Sequence, residues 1–597
     1  MKNLIRLTLS MIFTSVLLAG CNGSAPANGN APAGDSASSD GIASSKGSDS
    51  QQDMKDEDTA ASYEIKEEKY PLYFGSAGDK SEISLYFADG GDIPYISLTD
   101  ASVLLNRSNR EAELYELSFD EDKDTAVFTR KGTKYNADFD FSNDTVSFLD
   151  YDAFLRYEGS TLIDVFDPEA TTVTKQAFKQ KYAYERYGKE MTFDLASYDI
   201  DFVREGDGWY IPLQTFSDLI LSHYGEFTLF NRECVIVADG ALDDELNEIY
   251  RSAKEPVSEE MAQFSYNELC FALDHLYGLK EIHDIDSFDE YFHEAGLKKR
   301  LMGTDSVSAD AALCEMINFG LDDLHSEYMG PSYSTNEEEL KKNLPGYGPW
   351  KIKFEEAIEL FGAARAEAYP DGIPPYEEVG NTAYITFDHF TEPDENIDYL
   401  SEPKEEELYD TIRLIQYSCD QILREDSPVE NIVMDLSNNT GGYADAAAYV
   451  IASFLGRGQT DTKDMLTGAM VTSQFVIDTN RDGEFDMDDT IALKGYNLYC
   501  LTSPVSFSCG NFVPNVFKTS PYVTLLGQTS GGGSCAIMTL SNARGSVFLI
   551  SSNYRLSIMK NGSFYDIDRG ADPDHYIAKV SDFYDRKALT EYINNIF

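Results

Sequence analysis

The stretch Ile432-Val433-Met434-Asp435-Leu436, followed by Ser437-Asn438-Asn439-Thr440-Gly441-Gly442, decides the fold. Its apolar run predicts a buried strand, and the adjacent glycines let the backbone turn its N–H groups outward at a helix start. Such a turn suits the binding of developing negative charge. Further apolar strands at 383–387, 496–502 and 522–526 alternate with helical segments. This order predicts an α/β core of parallel strands joined by crossovers.

A serine follows the next predicted strand, in Ser506-Phe507-Ser508-Cys509. Ser508 would lie at a strand-to-helix corner with its hydroxyl exposed and helix N–H groups beneath it, as a serine nucleophile requires. Taken alone, a serine at a helix start is far more often an N-cap than a nucleophile.

Four ordered motifs give this serine its context. They are Asp435-Leu436-x-x-Asn439-x-Gly441-Gly442, Ser506-Phe507-Ser508-Cys509, Gly527-Gln528-Thr529-Ser530-Gly531-Gly532 and Gly570-Ala571-Asp572-Pro573-Asp574. In order and spacing they resemble the C-terminal processing (tail-specific) serine peptidases, over roughly residues 240–597. The resemblance implies a crotonase-like (ClpP/crotonase) α/β catalytic core with Ser508 as nucleophile. It also implies an oxyanion hole formed by the backbone N–H of Gly441 or Gly442 together with that of Cys509.

The expected general base is a histidine. Family members of the Ser-Lys type carry Lys in the glycine turn where this chain has Gly532. The tricorn-like and retinoid-binding-protein-like branch uses His, and His325 stands at the equivalent place, in Leu321-Asp322-Asp323-Leu324-His325-Ser326-Glu327-Tyr328. A neutral imidazole can take the Ser508 proton near neutral pH. His389, just after a core strand, is the reserve candidate.

An acidic residue is expected to orient the base. Asp568 and its neighbour Asp566 precede the Gly570 motif, and Asp568 is the preferred candidate. The alternative for both is a solvated surface carboxylate.

A second motif predicts calcium between the two halves of the core. The segment Asp478 to Asp489 has the spacing of an EF-hand loop in its dockerin-like form, with Gly483 at the sixth position. The predicted ligands are Asp478, Asn480, Asp482, Glu484 and Asp489. No cofactor is expected for catalysis, and the calcium is expected to be structural. The alternative is an acidic turn in an acidic protein.

The N-terminus predicts export. Lys2 and Arg6 precede a short apolar run, which ends in Leu18-Ala19-Gly20-Cys21. That tetrapeptide resembles the lipobox of bacterial lipoproteins, in which Cys21 carries the lipid and becomes the mature N-terminus. Residues 1–20 are therefore a predicted lipoprotein signal peptide, and 21–69 a flexible tether rich in Ser, Gly and Ala. The expected location is the outer face of a bacterial cell membrane, with the protein held there by the lipid anchor.

The mature chain divides by pattern. Short alternating strands predict two β-rich (α+β) modules at 70–165 and 166–240, since a strand-then-helix motif at residues 95–105 is echoed at 210–220. Two unrelated corners are the alternative. A helical subdomain at 241–345 and the peptidase core at 346–597 follow. Only about fifty residues separate Tyr333 from Thr382, too few for the PDZ domain that many relatives insert there.

Charge and cysteine usage exclude other classes. A formal charge of -57 repels phosphate backbones, which excludes general nucleic-acid binding. Apart from Cys21, seven scattered cysteines without a CxxC pair favour buried thiols over a zinc site or a disulfide framework.

The sequence thus predicts a membrane-anchored extracytoplasmic serine endopeptidase that cleaves exported peptides or proteins through an acyl-enzyme. One alternative is a catalytically inactive surface binding protein that keeps the peptidase fold. Another makes the N-terminal modules the main function, as binders of a cell-surface partner.

Overall fold

A computed structural model describes residues 63–108, 114–155, 178–186 (backbone only), 190–252, 256–394, 396–492, 494–560 and 563–596. The predicted signal peptide, Cys21 and the tether up to residue 62 lie outside the described residues. Within the described residues, no helix is both long and apolar enough to cross a membrane.

A six-stranded sheet, here called the core sheet, carries the predicted strands. Its strand order is Tyr376–Val379, Thr382–Thr386, Asn431–Asp435, Asn497–Thr502, Val523–Gly527 and His575–Tyr576. The first pair is antiparallel and the other neighbours are parallel. Every residue of the second and third strands is buried, which explains why these strands read as continuous apolar runs. The predicted α/β core is confirmed.

Helices cover both faces of the core sheet, as parallel strands require. They are Pro349–Ala368, Thr411–Leu423, Ala444–Leu455, Cys509–Phe517 and Arg586–Ile593, with short 3₁₀ turns at Glu405–Glu407, Met487–Asp489 and Val580–Phe583. The first of these, here called the bridging helix, occupies the interval in which no PDZ domain was expected. That interval folds as two helices and a strand.

An antiparallel sheet, here called the flanking sheet, packs beside the core. Its path is Glu327–Gly330, Val547–Lys560, Gly458–Asp464, Met470–Ile477 and Phe178–Arg186, and Cys535–Ser541 and Ser563–Tyr565 also pair with the second of these strands. The strand Val547–Lys560 therefore pairs with four other strands of the sheet. It also contacts the segment that holds His325, where the N–H of Ser551 donates to the hydroxyl of Ser326.

The helical subdomain lies where the period of the sequence predicted it. Its helices are Asp244–Tyr250, Glu259–Leu276, Phe288–Glu294, Lys298–Leu301, Ser306–Glu315 and Glu337–Leu340, and a π-helical turn spans Met316–Leu321. Side chains cap the longer ones: Ser258 accepts from the N–H of Met261, and Asp305 from that of Val307. The π-helical turn leads directly into the His325 loop.

The N-terminal region contains two sheets. One has the order Val203–Glu205, Gly208–Pro212, Tyr95–Ser97, Lys80–Ala88, Ile65–Phe74, Val235–Ala238 and Phe227–Phe230. The other is a meander of Tyr115–Asp120, Thr125–Arg130, Asn136–Asp140, Thr145–Phe148 and Met191–Asp194. The helices of the N-terminal region are Leu98–Ser108, Tyr151–Leu155 and Leu213–Leu219, with 3₁₀ turns at Ala196–Tyr198 and Leu221–Tyr224.

Two predicted boundaries differ from this arrangement. The boundary at residue 165 separates no sheets, because both contain strands from either side of it, as in the pairing of Leu72 with Val235. The strand Ile65–Phe74 begins within the predicted tether, where it gains ladder hydrogen bonds to Lys80–Ala88. Both echoed motifs are a strand followed by a helix, and their strands pair antiparallel with each other, with Ile96 opposite Ile211.

Candidate active site

Ser508 stands at a sharp corner between the strand Asn497–Thr502 and the helix Cys509–Phe517. Its φ of 55° and ψ of −121° are unusual for a residue with a side chain. The hydroxyl does not cap the helix, so the ordinary role of a helix-start serine is not the one seen here. The Ser508 N–H donates to the carbonyl of Gly532 at 2.9 Å, which fixes the corner against the glycine turn.

The Asn439–Gly442 turn packs directly on this serine. A Cβ placed on Gly441 would lie 2.7 Å from the Cβ of Ser508, and the φ of 112° at Gly441 suits only glycine. Asn439 holds the turn: its side-chain amide donates to the carbonyl of Phe387 at 3.1 Å. No larger residue at Gly441 could keep this distance to Ser508.

Two backbone N–H groups beside Ser508 have no partner among the described residues: those of Gly442 and Cys509. The N–H of Gly441, by contrast, donates to Asn439 Oδ1 at 2.9 Å. The Cys509 thiol donates to the carbonyl of Gly442 at 3.1 Å and so links the two residues. Of the two glycines that the sequence left open, Gly442 has the available donor.

His325 lies behind Phe507, with ring centroids 4.7 Å apart. The side chain is buried, and its Nε2 has no hydrogen-bond partner in the described part of the chain, so it makes no hydrogen bond to the Ser508 hydroxyl. Burial lowers the pKa of His325, although the charges of Asp323 and Asp568 act in the opposite direction. The imidazole is therefore neutral at neutral pH, as a base must be.

Asp323 organises the His325 loop, and sequence reasoning missed it. Its Oδ1 accepts from the N–H of His325 at 3.0 Å and from the hydroxyl of Ser551 at 2.7 Å. Its Oδ2 accepts from the hydroxyls of Tyr277 at 2.9 Å and Ser326 at 2.7 Å. An Asp two residues before the candidate His is the signature of an Asx turn, the one local signal that was available.

The two candidate acids differ in their partners. Asp568 Oδ1 accepts from the N–H and the hydroxyl of Ser534, at 2.9 and 3.0 Å. Asp566 is paired with Arg555. Among the described residues neither is hydrogen-bonded to His325, but Asp568 is near enough for its charge to act on the imidazole.

The structure explains the glycine at position 532. A Cβ there would lie 2.1 Å from the carbonyl oxygen of Asp568, and φ is 83°. A lysine would therefore clash with backbone, which agrees with the absence of the Lys that the Ser-Lys type carries. His389 lies on the other side of the Asn439–Gly442 turn, in the wall of a cavity.

The segment 478–489 forms a closed turn. Asp478 accepts from the N–H groups of Arg481 and Gly483, at 2.6 and 2.8 Å, and Asp489 from those of Thr479 and Asp486, at 2.8 and 3.0 Å. The predicted ligands Asn480, Asp482 and Glu484 are exposed, and the side-chain oxygens of Asn480 and Asp482 accept from the N–H groups of Asp482 and Glu484, at 2.9 and 2.8 Å. Across the residues that the structure describes, no three His, Cys, Asp or Glu side chains converge as a metal ion would need.

Residues 381–576 match the model of peptidase family S41. These residues form an S41 peptidase domain. The domain contains Ser508, Gly442, Cys509 and Asp568, whereas His325 precedes it. The relation to serine peptidases that the four motifs predicted is thereby confirmed.

Solved structures similar to this chain include a lipoprotein from Streptococcus agalactiae, with 15% identity over 57% of this chain and 98% of that chain and a TM-score of 0.32. The photosystem II D1 C-terminal processing protease has 14% identity, over 54% and 93%, with a TM-score of 0.32. Mature CPAF complexed with lactacystin has 11% identity, over 56% and 98%, with a TM-score of 0.35. These TM-scores are too low to bear on function. No curated protein matches the chain.

A buried ion pair stabilises the strand end that leads into the Asn439–Gly442 turn. Arg586 pairs with Asp435, and the side chains are 3% and 0% exposed. Asp435 also accepts from the N–H of Ser437 at 2.9 Å, at the start of the turn. The pair therefore fixes the end of the strand from which the turn leaves.

Replacing Arg586 by Met is expected to lower the free energy of unfolding by about 3–5 kcal/mol, because Asp435 would stay buried without its counter-charge. Urea denaturation measures the change. Lys341→Met is the control: its ion pair with Glu338 has side chains 62% and 82% exposed, and about 0–1 kcal/mol is expected. Equal losses in the two variants would contradict the importance of the buried pair.

Proposed function

We propose that the protein is an extracytoplasmic, membrane-anchored serine endopeptidase that cleaves exported peptides or proteins through an acyl-enzyme on Ser508. One observation carries the proposal. The hydroxyl of Ser508 stands at a sharp corner, free of capping duty, beside the unpartnered N–H groups of Gly442 and Cys509. A nucleophile next to two backbone N–H groups that are free to donate is the arrangement that acyl transfer requires.

The reaction proposed for these groups has two halves. As Ser508 Oγ attacks the substrate carbonyl carbon, its proton moves to His325, and Gly442 and Cys509 donate to the oxyanion. The C–N bond then breaks, and His325 gives the proton to the leaving amine. In the second half, His325 takes a proton from water, the hydroxide attacks the acyl carbon, and Ser508 regains its proton as the acid product leaves.

The orphaned Nε2 of His325 also supports a second candidate, a catalytically inactive binding protein with a peptidase fold. In the active protein, the His325–Ser508 hydrogen bond would form when substrate closes the site, as happens in enzymes with loose apo geometry. In the inactive one it would never form.

A fluorophosphonate probe distinguishes the two candidates. The active protein should be labelled at neutral pH, and peptide mapping of the adduct should place it on Ser508. A folded protein that takes no label and cleaves no casein or peptide library is the inactive binding protein.

The anchor and location are part of the proposal. The lipobox-like segment ending at Cys21 supports a lipid-held protein outside the cytoplasm. In this arrangement the substrates are exported polypeptides, and the N-terminal sheets are available to a cell-surface partner. Incorporation of labelled fatty acid, lost in Cys21→Ala, tests the anchor.

A structural calcium ion at 478–489 is proposed from the residue spacing alone. Binding would have to draw the exposed Asp482 and Glu484 toward the buried Asp478 and Asp489. We expect millimolar calcium to raise the melting temperature by a few degrees over the same protein in EGTA, since a ligand of the native state stabilises it. Asp482→Asn should reduce that rise, and the exposed Asp398→Asn should not. Identical melting curves with calcium and with EGTA would refute the site.

A further inference from the structure

A cavity of about 600 Å³ lies beside the Asn439–Gly442 turn, and neither the proposed reaction nor the predicted calcium loop uses it. The bridging helix forms one wall, with Gly362, Arg365 and Ala366. The chain that follows the core strand Thr382–Thr386 forms another, with Phe387 and His389. Its volume falls within the range of ligand sites.

The cavity is connected to the candidate active site by backbone hydrogen bonds. The N–H of Thr440 donates to the carbonyl of Asp388 at 3.1 Å, and that of Phe390 to the carbonyl of Gly441 at 2.8 Å. Because Gly441 packs on Ser508, the Asn439–Gly442 turn links the cavity wall to the nucleophile.

The bridging helix extends from a contact with Phe507, the neighbour of Ser508, to the cavity wall. Phe354 near its start contacts Phe507, with ring centroids 5.5 Å apart, while Arg365 lies in the cavity wall. Eleven residues of α-helix span about 16 Å, which is the length of about five residues of extended peptide. A substrate that runs along this helix from the contact with Phe507 to Arg365 therefore needs about five extended residues.

The lining shows what chemistry the cavity accepts. Ile373, Phe387 and Leu408 provide partly buried apolar surface. Arg365 is neutralised by Asp388 through two hydrogen bonds of 2.6 Å. Burial lowers the pKa of His389, whose ring takes part in no hydrogen bond within the described residues, so it can serve a ligand as an uncharged donor or acceptor. The cavity thus offers apolar surface and a neutral polar group without net charge.

We infer that this cavity is a distal subsite for the substrate, which binds an uncharged, apolar segment of the polypeptide up to about five residues from the bond that is cleaved. The inference rests on the proposed function. It makes the bridging helix a specificity element and His389 a specificity-determining residue.

The test compares fluorogenic peptides that share one cleavage site. One is short, two carry five extra apolar residues on either the amino or the carboxyl side, and two carry Asp in that extension. In the wild type, one apolar extension should raise kcat/KM about 10-fold or more, and its Asp version should not. Ala366→Trp, which fills the cavity, should remove that gain and leave the short peptide unaffected. Ala363→Trp, exposed on the same helix but outside the cavity, should retain it.

A second filling variant guards against misfolding. Gly362→Trp places its side chain where nothing lies within 4 Å of a new Cβ, and it should behave as Ala366→Trp does. Fluorophosphonate labelling is measured in the wild type and in every variant. If the wild type is not labelled, the proposed peptidase activity fails, and the kinetic comparison says nothing against the subsite. Two results with labelling intact would overturn the subsite. In one, no extension raises kcat/KM in the wild type. In the other, both filling variants show the same rise in kcat/KM as the wild type. A change in oligomeric state in place of the kinetic change would overturn it in favour of a second copy of the chain.

Discussion

Ser508→Ala is expected to lower kcat/KM for peptide hydrolysis by about 10⁴-fold or more and to abolish fluorophosphonate labelling, because the nucleophile is gone while the oxyanion donors remain. Steady-state assays on a fluorogenic peptide measure the loss. The fold should be unaffected, since the lost hydroxyl caps no helix. Unchanged turnover in this variant would exclude Ser508 as the nucleophile.

Ser508→Gly separates the chemistry from the backbone strain. It lacks the hydroxyl as well, but glycine tolerates the φ of 55° that a residue with a Cβ adopts at a cost. We expect the Gly variant to exceed the Ala variant by about 1 kcal/mol in the free energy of unfolding. Equal stabilities would mean that the corner stores no strain.

Ser506→Ala is the matched control two residues away. Its hydroxyl donates to the carbonyl of Leu436 at 2.7 Å and accepts from the N–H of Ser503 at 2.9 Å, so it is structural. Its loss should cost about 1–3 kcal/mol of stability, whereas the folded molecules should still be labelled. The two serines thus predict opposite patterns of activity and stability.

The core sheet was predictable because its signals are local. The strand Asn431–Asp435 is buried on both faces, so its residues form an apolar run that a glycine turn ends. The corner at Ser508 was predictable in the same way, from a strand followed by a helix in sequence, whereas its assignment as nucleophile depended on the resemblance of the four motifs. The sequence left open whether Gly441 or Gly442 donates to the oxyanion. The structure favours Gly442, because the side chain of Asn439 already accepts from the N–H of Gly441.

The strand pairing across the predicted boundary at residue 165 and the hydrogen bonds of Asp323 beside His325 were not predictable, because both join residues far apart in the sequence. Strand Ile65–Phe74 pairs with strand Val235–Ala238 across more than 150 residues, so a search for local modules divides one sheet into two. Asp323 accepts hydrogen bonds from the hydroxyls of Tyr277 and Ser551, which are 46 and 228 residues away in the sequence. Nothing in the local pattern selects those two partners.

His325→Gln is expected to lower kcat by about 10³-fold or more, because Ser508 would lose the group that takes its proton. Labelling at neutral pH should fall with it. The exposed His293→Gln is the control and should behave as the wild type. If His325→Gln keeps its activity and His389→Gln loses it, the base is the reserve candidate. Recovery of His325→Ala activity by added imidazole would show that the missing function is proton transfer.

The role of His325 as general base also predicts the direction in which kcat/KM changes with pH. Burial lowers the pKa of His325 from its ordinary value of 6.5, so kcat/KM should rise with pH through a midpoint below 6.5 and then reach a plateau. The charge of Asp568 acts to raise that pKa. Asp568→Asn removes the charge but keeps an oxygen that can accept from Ser534, so the midpoint should move to still lower pH. A midpoint that stays in place would show that Asp568 does not act on the base, and would leave Asp323 as the acid that orients it.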